Sequence, residues 1–269
     1  MGISSSSYCY CRSKPECADG YADARAAIKE EFELVRGSRG YRYIRQRLRE
    51  REDPIRISGK KVRALMAEEG CVAPYARKKR LYSSYKGEIG DAQENIVARV
   101  FRADAPNKPW LTDVTQFRIP AGKAYLSPVI DCLNGMPVAW TIRARPNAEM
   151  AGTILEEACE TLGPGEAPVI HSDRGCHCRW PGWIGICERR GLVRSTSKKR
   201  CSPDNSAMEG FFRRLENDFF YDRDWAGVSL GDFALQLDDC TRYYRDERIK
   251  RSLGWMSPSQ YRKSLGLAA

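Results

Sequence analysis

Near Trp110 the hydrophobic pattern changes from helical to alternating, and that change decides what the chain can build. Trp110 to Phe117 predicts a strand, Ala121 to Leu133 a second, and Met136 to Ala144 a third, with Asn134-Gly135 as the hairpin turn between the last two. Asn147 predicts the cap of a helix ending near Leu162. Ala167 to Ser172 is a short, mostly apolar strand, a helix lies around Trp183 to Arg190, and Leu192 to Thr196 is another strand. Two long helices follow, Asp204 to Tyr221 and Leu230 to Arg248. The order βββαβαβαα implies a mixed sheet flanked by helices, the layer arrangement of an α/β domain.

The front of the chain reads differently. Residues 1–20 are polar, Ser-rich and irregular. From Tyr21 to Val35, Ala24, Ala27, Ile28, Phe32 and Val35 recur at helical spacing, and Gly37 to Gly40 ends the run. Tyr41 to Glu50 predicts a second helix with Tyr41, Ile44 and Leu48 on one face and Arg42, Arg45, Arg47 and Arg49 on the others. Ser58 can cap a third, in which Val62, Leu65 and Met66 face in, Lys60, Lys61 and Arg63 face out, and Gly70 stops the helix. Three short helices with basic faces suit a helix-turn-helix module. The spacing alone favours a helical subdomain with solvated charges, because helix-turn-helix geometry is not sequence-specific. Arg77-Lys78-Lys79-Arg80 opens an extended stretch, 74–108, that suits either a phosphate backbone or a plain tether. The expected division is an irregular segment 1–20, a helical region 21–73, a basic linker 74–108, an α/β core 109–223 and a helical tail 224–269.

Composition excludes several classes. With 42% hydrophobic and 30% charged residues among 269, the chain is too apolar for disorder. No apolar run approaches the roughly 20 residues of a membrane helix, and the N-terminus lacks a signal-peptide core. The cytoplasm is therefore the expected compartment. A net charge of +10 favours polyanionic partners, nucleic acid foremost. The 11 cysteines are then expected as reduced thiols. Two clusters, Cys9, Cys11 and Cys17, and Cys176, His177, Cys178 and Cys187, contain no C-x-x-C pair, which leaves structural zinc as the lesser alternative.

Three acids stand out by context. Asp113 sits within an apolar, β-branched strand, Asp173 just past the end of another, and Glu209 near the start of a helix striped by Met208, Phe211, Phe212, Leu215 and Phe219. An acid beside apolar elements is costly unless it is paired or binds metal. Phosphodiester cleavage supplies a reason for three to converge: two divalent ions roughly 3.5–4 Å apart activate the nucleophile and stabilise the leaving oxygen. Such hard ions favour carboxylate oxygens, and neither Cys nor His is needed.

The stretches Trp110-Leu-Thr-Asp113, His171-Ser-Asp173-Arg-Gly175 and Ser202-Pro-Asp-Asn-Ser-Ala-Met-Glu209 resemble those of bacterial insertion-sequence transposases of the OrfB type, with a retroviral-integrase-like DDE core. The 35 residues between Asp173 and Glu209 match that family's D-D-35-E spacing. Gly40 to Ile44 and Val62 to Met66 resemble its helix-turn-helix segment. Tyr243 to Ile249, Ser252 to Gly254 and Ser257 to Tyr261 resemble its C-terminal signature. The resemblance covers about residues 5 to 263. It implies a ribonuclease H-like core in which Asp113, Asp173 and Glu209 are catalytic and ligate two Mg²⁺, with Mn²⁺ able to substitute. It implies DNA transposition: water attack frees a 3′-hydroxyl at the element end, and that hydroxyl attacks a second phosphodiester. The expected partners are DNA ends and target, further copies of the chain on DNA, and the product of an upstream frame, in the bacterial cytoplasm at the nucleoid.

Candidate DNA contacts are Lys60, Lys61 and Arg63, the run Arg77, Lys78, Lys79 and Arg80, and Lys198, Lys199 and Arg200 just before the Glu-bearing helix. A rival from another class is a non-catalytic DNA-binding regulator or decayed copy. A third reading is a hydrolase of RNA–DNA hybrids, which would not need a helix-turn-helix front. The chain departs from the family at three places. Glu216 stands where a basic residue is usual, and is expected to face the same cleft as Glu209 and repel phosphate; Lys250 replaces a His, and Arg200 a Gly. Asp204 and Asn205 are expected as helix caps, with a site-orienting role open for Asn205. His171 is either a hydrogen-bonded structural group or a proton relay. The segment Trp180 to Trp183 either packs in the core or stacks on a base.

Overall fold

The computed structural model describes residues 19–73, 94–173, 180–197 and 202–267, with the side chains of Ala148, Ser202 and Pro203 excepted. The chain divides into two compact units, Met1–Tyr75 and Ala76–Ala269.

The first unit is built by α1 (Ala22–Leu34), α2 (Tyr41–Glu50) and α3 (Gly59–Glu68). The predicted stripes meet: Ile28, Ile44, Leu48, Val62 and Leu65 are fully buried in one cluster. Each such side chain contributes about 1.5–3 kcal/mol. Ser58 caps α3 as expected, its Oγ accepting the Lys61 N–H at 3.2 Å. Ion pairs tie the helices at their margins. Arg25 of α1 reaches Glu68 and Glu69, and Arg51, just past α2, reaches Glu30 and Glu31.

The second unit is a sheet with helices on both faces. Its strands are β1 (Pro109–Thr112), β2 (Thr115–Ile119), β3 (Gly122–Asp131), β4 (Met136–Arg143), β5 (Val169–Ser172) and β6 (Val193–Thr196). The expected single strand from Trp110 to Phe117 is interrupted. The Asp113 carboxylate accepts the N–H of Val114 at 2.7 Å, and the ladder breaks at these two residues. Register is nonetheless kept, because Thr112 pairs with Val129 before the break and Thr115 with Leu126 after it. β1 and β2 therefore lie in line along one edge of β3, and β4 lies along the other. β5 runs parallel to β1, and β6 parallel to β5. The mixed, helix-flanked sheet expected from the element order is what forms.

Alternation along β1 sorts the core into two layers. Trp110 faces α4 (Ala148–Glu160) and α5 (Pro181–Arg189), together with Val129, Ile154, Leu155 and Ile170. Leu111 faces the opposite layer, where α6 (Ser206–Leu215) and α7 (Leu230–Asp246) supply Met208, Phe211, Phe212, Phe233 and Leu237. Asn147 caps α4 through the Met150 N–H, as its position suggested. The hairpin turn between β3 and β4 takes four residues, 132–135, not the two of Asn134-Gly135. Gly135 has φ 67°, and a Cβ there would stand 3.1 Å from Lys250 Nζ.

Lys250 explains that approach. Its Nζ donates to the Asn134 and Gly135 carbonyls, each at 3.0 Å, and lies over the Tyr244 ring. Burial pushes its amine well below the usual lysine range, with Arg248 and Arg214 adding repulsion. The lysine thus braces the hairpin from the C-terminal segment. A further helix, α8 (Pro258–Ser264), was not read from the sequence. Its signal is the S-x-x-Q of a capping box: Ser257 Oγ accepts the Gln260 N–H, and the Gln260 side chain accepts the Ser257 N–H. No helix among the described residues is long and apolar enough to cross a membrane.

Candidate active site

Strand pairing brings two of the three acids together. The parallel ladder between β1 and β5 keeps one register from Pro109 opposite Val169 to Thr112 opposite Ser172. Asp113 and Asp173 are the next residues after the two strands. Their backbones follow strands spaced about 4.8 Å apart. β6 adds Ser197 to the same row, since Thr196 pairs with Ser172. Two residues earlier, Leu111, His171 and Ser195 form the row beneath. Asp113 shares a sheet face with Leu111, the face covered by α6, and α6 carries Glu209 in its first turn. The site sits at the carboxyl ends of parallel strands, where α/β sheets commonly bind ligands.

The electrostatics follow from this crowding. Burial pushes the Asp113 carboxyl well above the usual carboxylate range. The facing charge of Asp173 adds to the shift and that of Glu209 adds less, while the Val114 N–H and the Asn205 amide act against it. Asp113 keeps part of its surface, so its desolvation comes from the packed elements around the strand end. Among the described residues no three His, Cys, Asp or Glu side chains stand close enough together to hold a metal ion. The donor set nonetheless fits a hard divalent cation in kind and charge: oxygens only, mutually repelling, on one face of the sheet.

The residues before α6 hold the site, and Asn205 does so in place of a side-chain cap. Asn205 occupies the N-cap position without a capping side-chain bond. Its Nδ2 donates instead to Asp113 Oδ2 at 3.0 Å, the orienting role left open above. Asp204 Oδ1 accepts from Arg99 Nε at 2.7 Å. His171 is 0% exposed and belongs to the same arrangement. Its Nδ1 lies 2.9 Å from Ser195 Oγ, and its Nε2 lies 2.9 Å from the Asp204 carbonyl oxygen and 3.1 Å from Ser197 Oγ. A carbonyl only accepts, so Nε2 carries the proton and Nδ1 accepts from Ser195. Burial lowers the imidazole below its ordinary pKa, which keeps this neutral tautomer.

Glu216 departs from expectation. It shares the sheet-facing side of the helix with Glu209, but it is only 6% exposed and does not lie open to phosphate. Oε1 stands 3.5 Å from Thr115 Oγ1 and Oε2 3.3 Å from the Tyr221 hydroxyl, both long for hydrogen bonds. The helix also passes into a π turn at Glu216–Phe220, closed by the Tyr221 N–H on the Glu216 carbonyl. We expect Glu216→Lys to destabilise the second unit by roughly 1–3 kcal/mol, because it places an ammonium in a site only 6% exposed and takes an acceptor from the half-buried Thr115 and Tyr221 hydroxyls. Urea unfolding would measure this; an unchanged midpoint with stronger DNA binding would restore the exposed reading.

The other candidates divide. Lys60 and Arg63 are exposed on α3, whereas Lys61 lies 4.0 Å over the Tyr21 ring. Arg77, Lys78, Lys79, Arg80, Lys198, Lys199 and Arg200 lie outside the described residues, as do Cys9, Cys11, Cys17, Cys176, His177 and Cys178. Cys187 is a buried thiol in the core, and Trp183 packs beside it. Arg213, not among the sequence candidates, is exposed one helical turn after Glu209. Its signal was the i, i+4 spacing from Glu209.

Two family models match the chain. The family model described as integrase core domain matches residues 103–202, and one described as HTH-like domain matches residues 21–79. The probable transposase for insertion sequence element IS1353 of Shigella flexneri is 46% identical over 267 residues, covering 99% of this chain. The chain spans 51% of that relative's length. Transposase InsK, assigned to insertion sequence element IS150 of Escherichia coli K12, is 35% identical over 250 residues, covering 93% of this chain and 85% of the relative. Among solved structures, the HTLV-2 integrase catalytic core domain in complex with magnesium (trimeric form) aligns with TM-score 0.46 and 17% identity, covering 60% of this chain and 99% of that one.

Proposed function

The chain belongs to the insertion-sequence transposases with an integrase core, and from that premise we propose that it cuts and joins DNA strands at the ends of its element. The observation that carries the proposal is the side-by-side placement of Asp113 and Asp173, with Glu209 close enough to perturb Asp113. These three side chains would hold two Mg²⁺, or Mn²⁺ in its place. When bound, the ions supply activation of an attacking oxygen and stabilisation of a leaving one. In the first step a water oxygen bonds to phosphorus as the bond to the 3′ oxygen breaks, and that oxygen leaves as a 3′-hydroxyl. In the second, this hydroxyl bonds to phosphorus in another strand, displaces that strand's 3′ oxygen and joins the two chains. Asn205 fixes one oxygen of Asp113 throughout.

Positioning of DNA falls to the basic residues. Lys60 and Arg63 lie exposed on α3, and Arg213 one turn beyond Glu209. Further copies of this chain on DNA, and an upstream-frame product, are the proposed protein partners. The deciding experiment is strand cleavage of a duplex ending in the element's own terminus, with Mg²⁺ and with EDTA. A 3′-hydroxyl product only with Mg²⁺ is the expected result, and no product under either condition would sink the proposal.

DNA binding should depend on salt. Neutralising Lys60 and Arg63, or the run Arg77 to Arg80, should flatten the plot of log affinity against log salt by up to ~0.9 per lost phosphate contact. Fluorescence anisotropy across a salt series checks it. A slope equal to that of the parent protein would make those side chains solvated charges only.

A further inference from the structure

We propose that His171 is a positioning residue that sets the spacing of Asp173 and Glu209, and with it the affinity of the carboxylate site for divalent metal. The proposal rests on the metal reading above. One imidazole joins three pieces of the chain. It projects from β5 two residues before Asp173, takes Ser195 on the neighbouring strand and Ser197 just past it, and donates to the backbone carbonyl of Asp204, five residues before Glu209. Ser195 Oγ in turn accepts the Ile96 N–H at 3.0 Å, so the ring is oriented by a second chain of bonds. Ser197 and Asp204 flank residues 198–203, and the same nitrogen contacts both.

A core filler would not need this arrangement. The neighbour in register on β1 is Leu111, and Phe101 packs edge-on against the ring, so an apolar side chain would suit the volume. It would leave the Asp204 carbonyl and two buried serine hydroxyls without this partner, and the entry of α6 without its tie to β5. Because Asp113 and Asp173 are already fixed by strand register, the placement of α6 is the remaining variable in the site. Outer partners that hold metal ligands typically alter metal affinity by about 10–100-fold when removed.

The test uses the full chain, stripped of metal, with Mg²⁺ or Mn²⁺ alone as the probe. Melting temperature is followed against metal concentration for the parent, His171→Phe, His171→Gln and Ser195→Ala. His171→Phe should raise the metal concentration at half-effect by about tenfold or more. His171→Gln, whose amide N–H can still reach the Asp204 carbonyl, should recover most of it. Ser195→Ala, a milder change, should shift in the same direction and decides the matter if His171→Phe does not fold. Half-effect concentrations equal to the parent's in the folded variants, with only the metal-free melting temperature lowered, would reduce His171 to a structural group. A parent protein whose melting ignores both metals would remove the metal reading itself, and the proposal with it.

Discussion

Asp113→Asn should abolish strand cleavage, by on the order of 10⁴-fold or more, while making the metal-free protein harder to melt. The loss follows from removing a group that acts as a unit with two others, where single knockouts cost nearly as much as removing the set. The stabilisation follows from the crowding that burial, Asp173 and Glu209 impose on Asp113. A carboxyl pushed above its unfolded pKa binds its proton more tightly in the folded chain. Folding stability from this group therefore falls as pH rises from the ordinary carboxylate range through the raised value. Asparagine carries no such charge, keeps the shape and can still meet the Asn205 amide. The gain in melting temperature should thus be larger at neutral pH than at pH 4. Divalent metal should reverse the order. A ligand at a hundred times its dissociation constant stabilises by about 2.7 kcal/mol, and the variant should forfeit that increment. Calorimetry with and without Mg²⁺, beside the cleavage assay, tests both halves. A variant that cleaves at even a tenth of the parent rate would take Asp113 out of the site.

What could be read ahead of the structure was local. Asp113, Asp173 and Glu209 were legible because an acid embedded in apolar pattern is costly on its own account, and the stripe from Met208 to Phe219 told which helix face was buried. That Asp113 and Asp173 converge was expected; the parallel register that sets them side by side was not legible, because it pairs two strands some sixty residues apart. The same holds for His171, whose partners come from β6 and from the entry to α6. Asn205 looked like a cap because cap-forming residues are defined by chain position, whereas its amide was drawn to a carboxylate on another element. For Glu216, helical arithmetic found the correct side of the helix but not the depth. Depth is set by β2, which brings Thr115 to meet it, and by the π turn that begins there.

Far from the carboxylates, Arg262→Met should cost the second unit about 3–5 kcal/mol of stability, the range for breaking a buried ion pair on one side. Asp131 is 0% exposed at the end of β3, and the Arg262 side chain on α8 is 8% exposed. Arg262 donates to Asp131 Oδ2 at 2.7 Å. The carboxylate also accepts the Asn107 N–H on Oδ2 and the Leu133 N–H on Oδ1, each at 2.8 Å. Those two amides orient Asp131 but do not neutralise it, so removal of the guanidinium leaves a buried charge with polar contacts only. For a unit of this size each kcal/mol moves the melting temperature by roughly 2–4 °C, which puts the expected drop near 10 °C. The double variant Asp131→Leu with Arg262→Met should regain most of the loss, since a buried pair replaced by apolar groups of similar volume is often neutral or better. That recovery separates an uncompensated charge from simple loss of packing at α8. Cleavage per folded molecule should be unchanged in the double variant, because the pair touches none of the three acids. A single-variant cost below about 1 kcal/mol, the worth of an exposed pair, would mean that water reaches Asp131 and that α8 does not seal the end of the sheet.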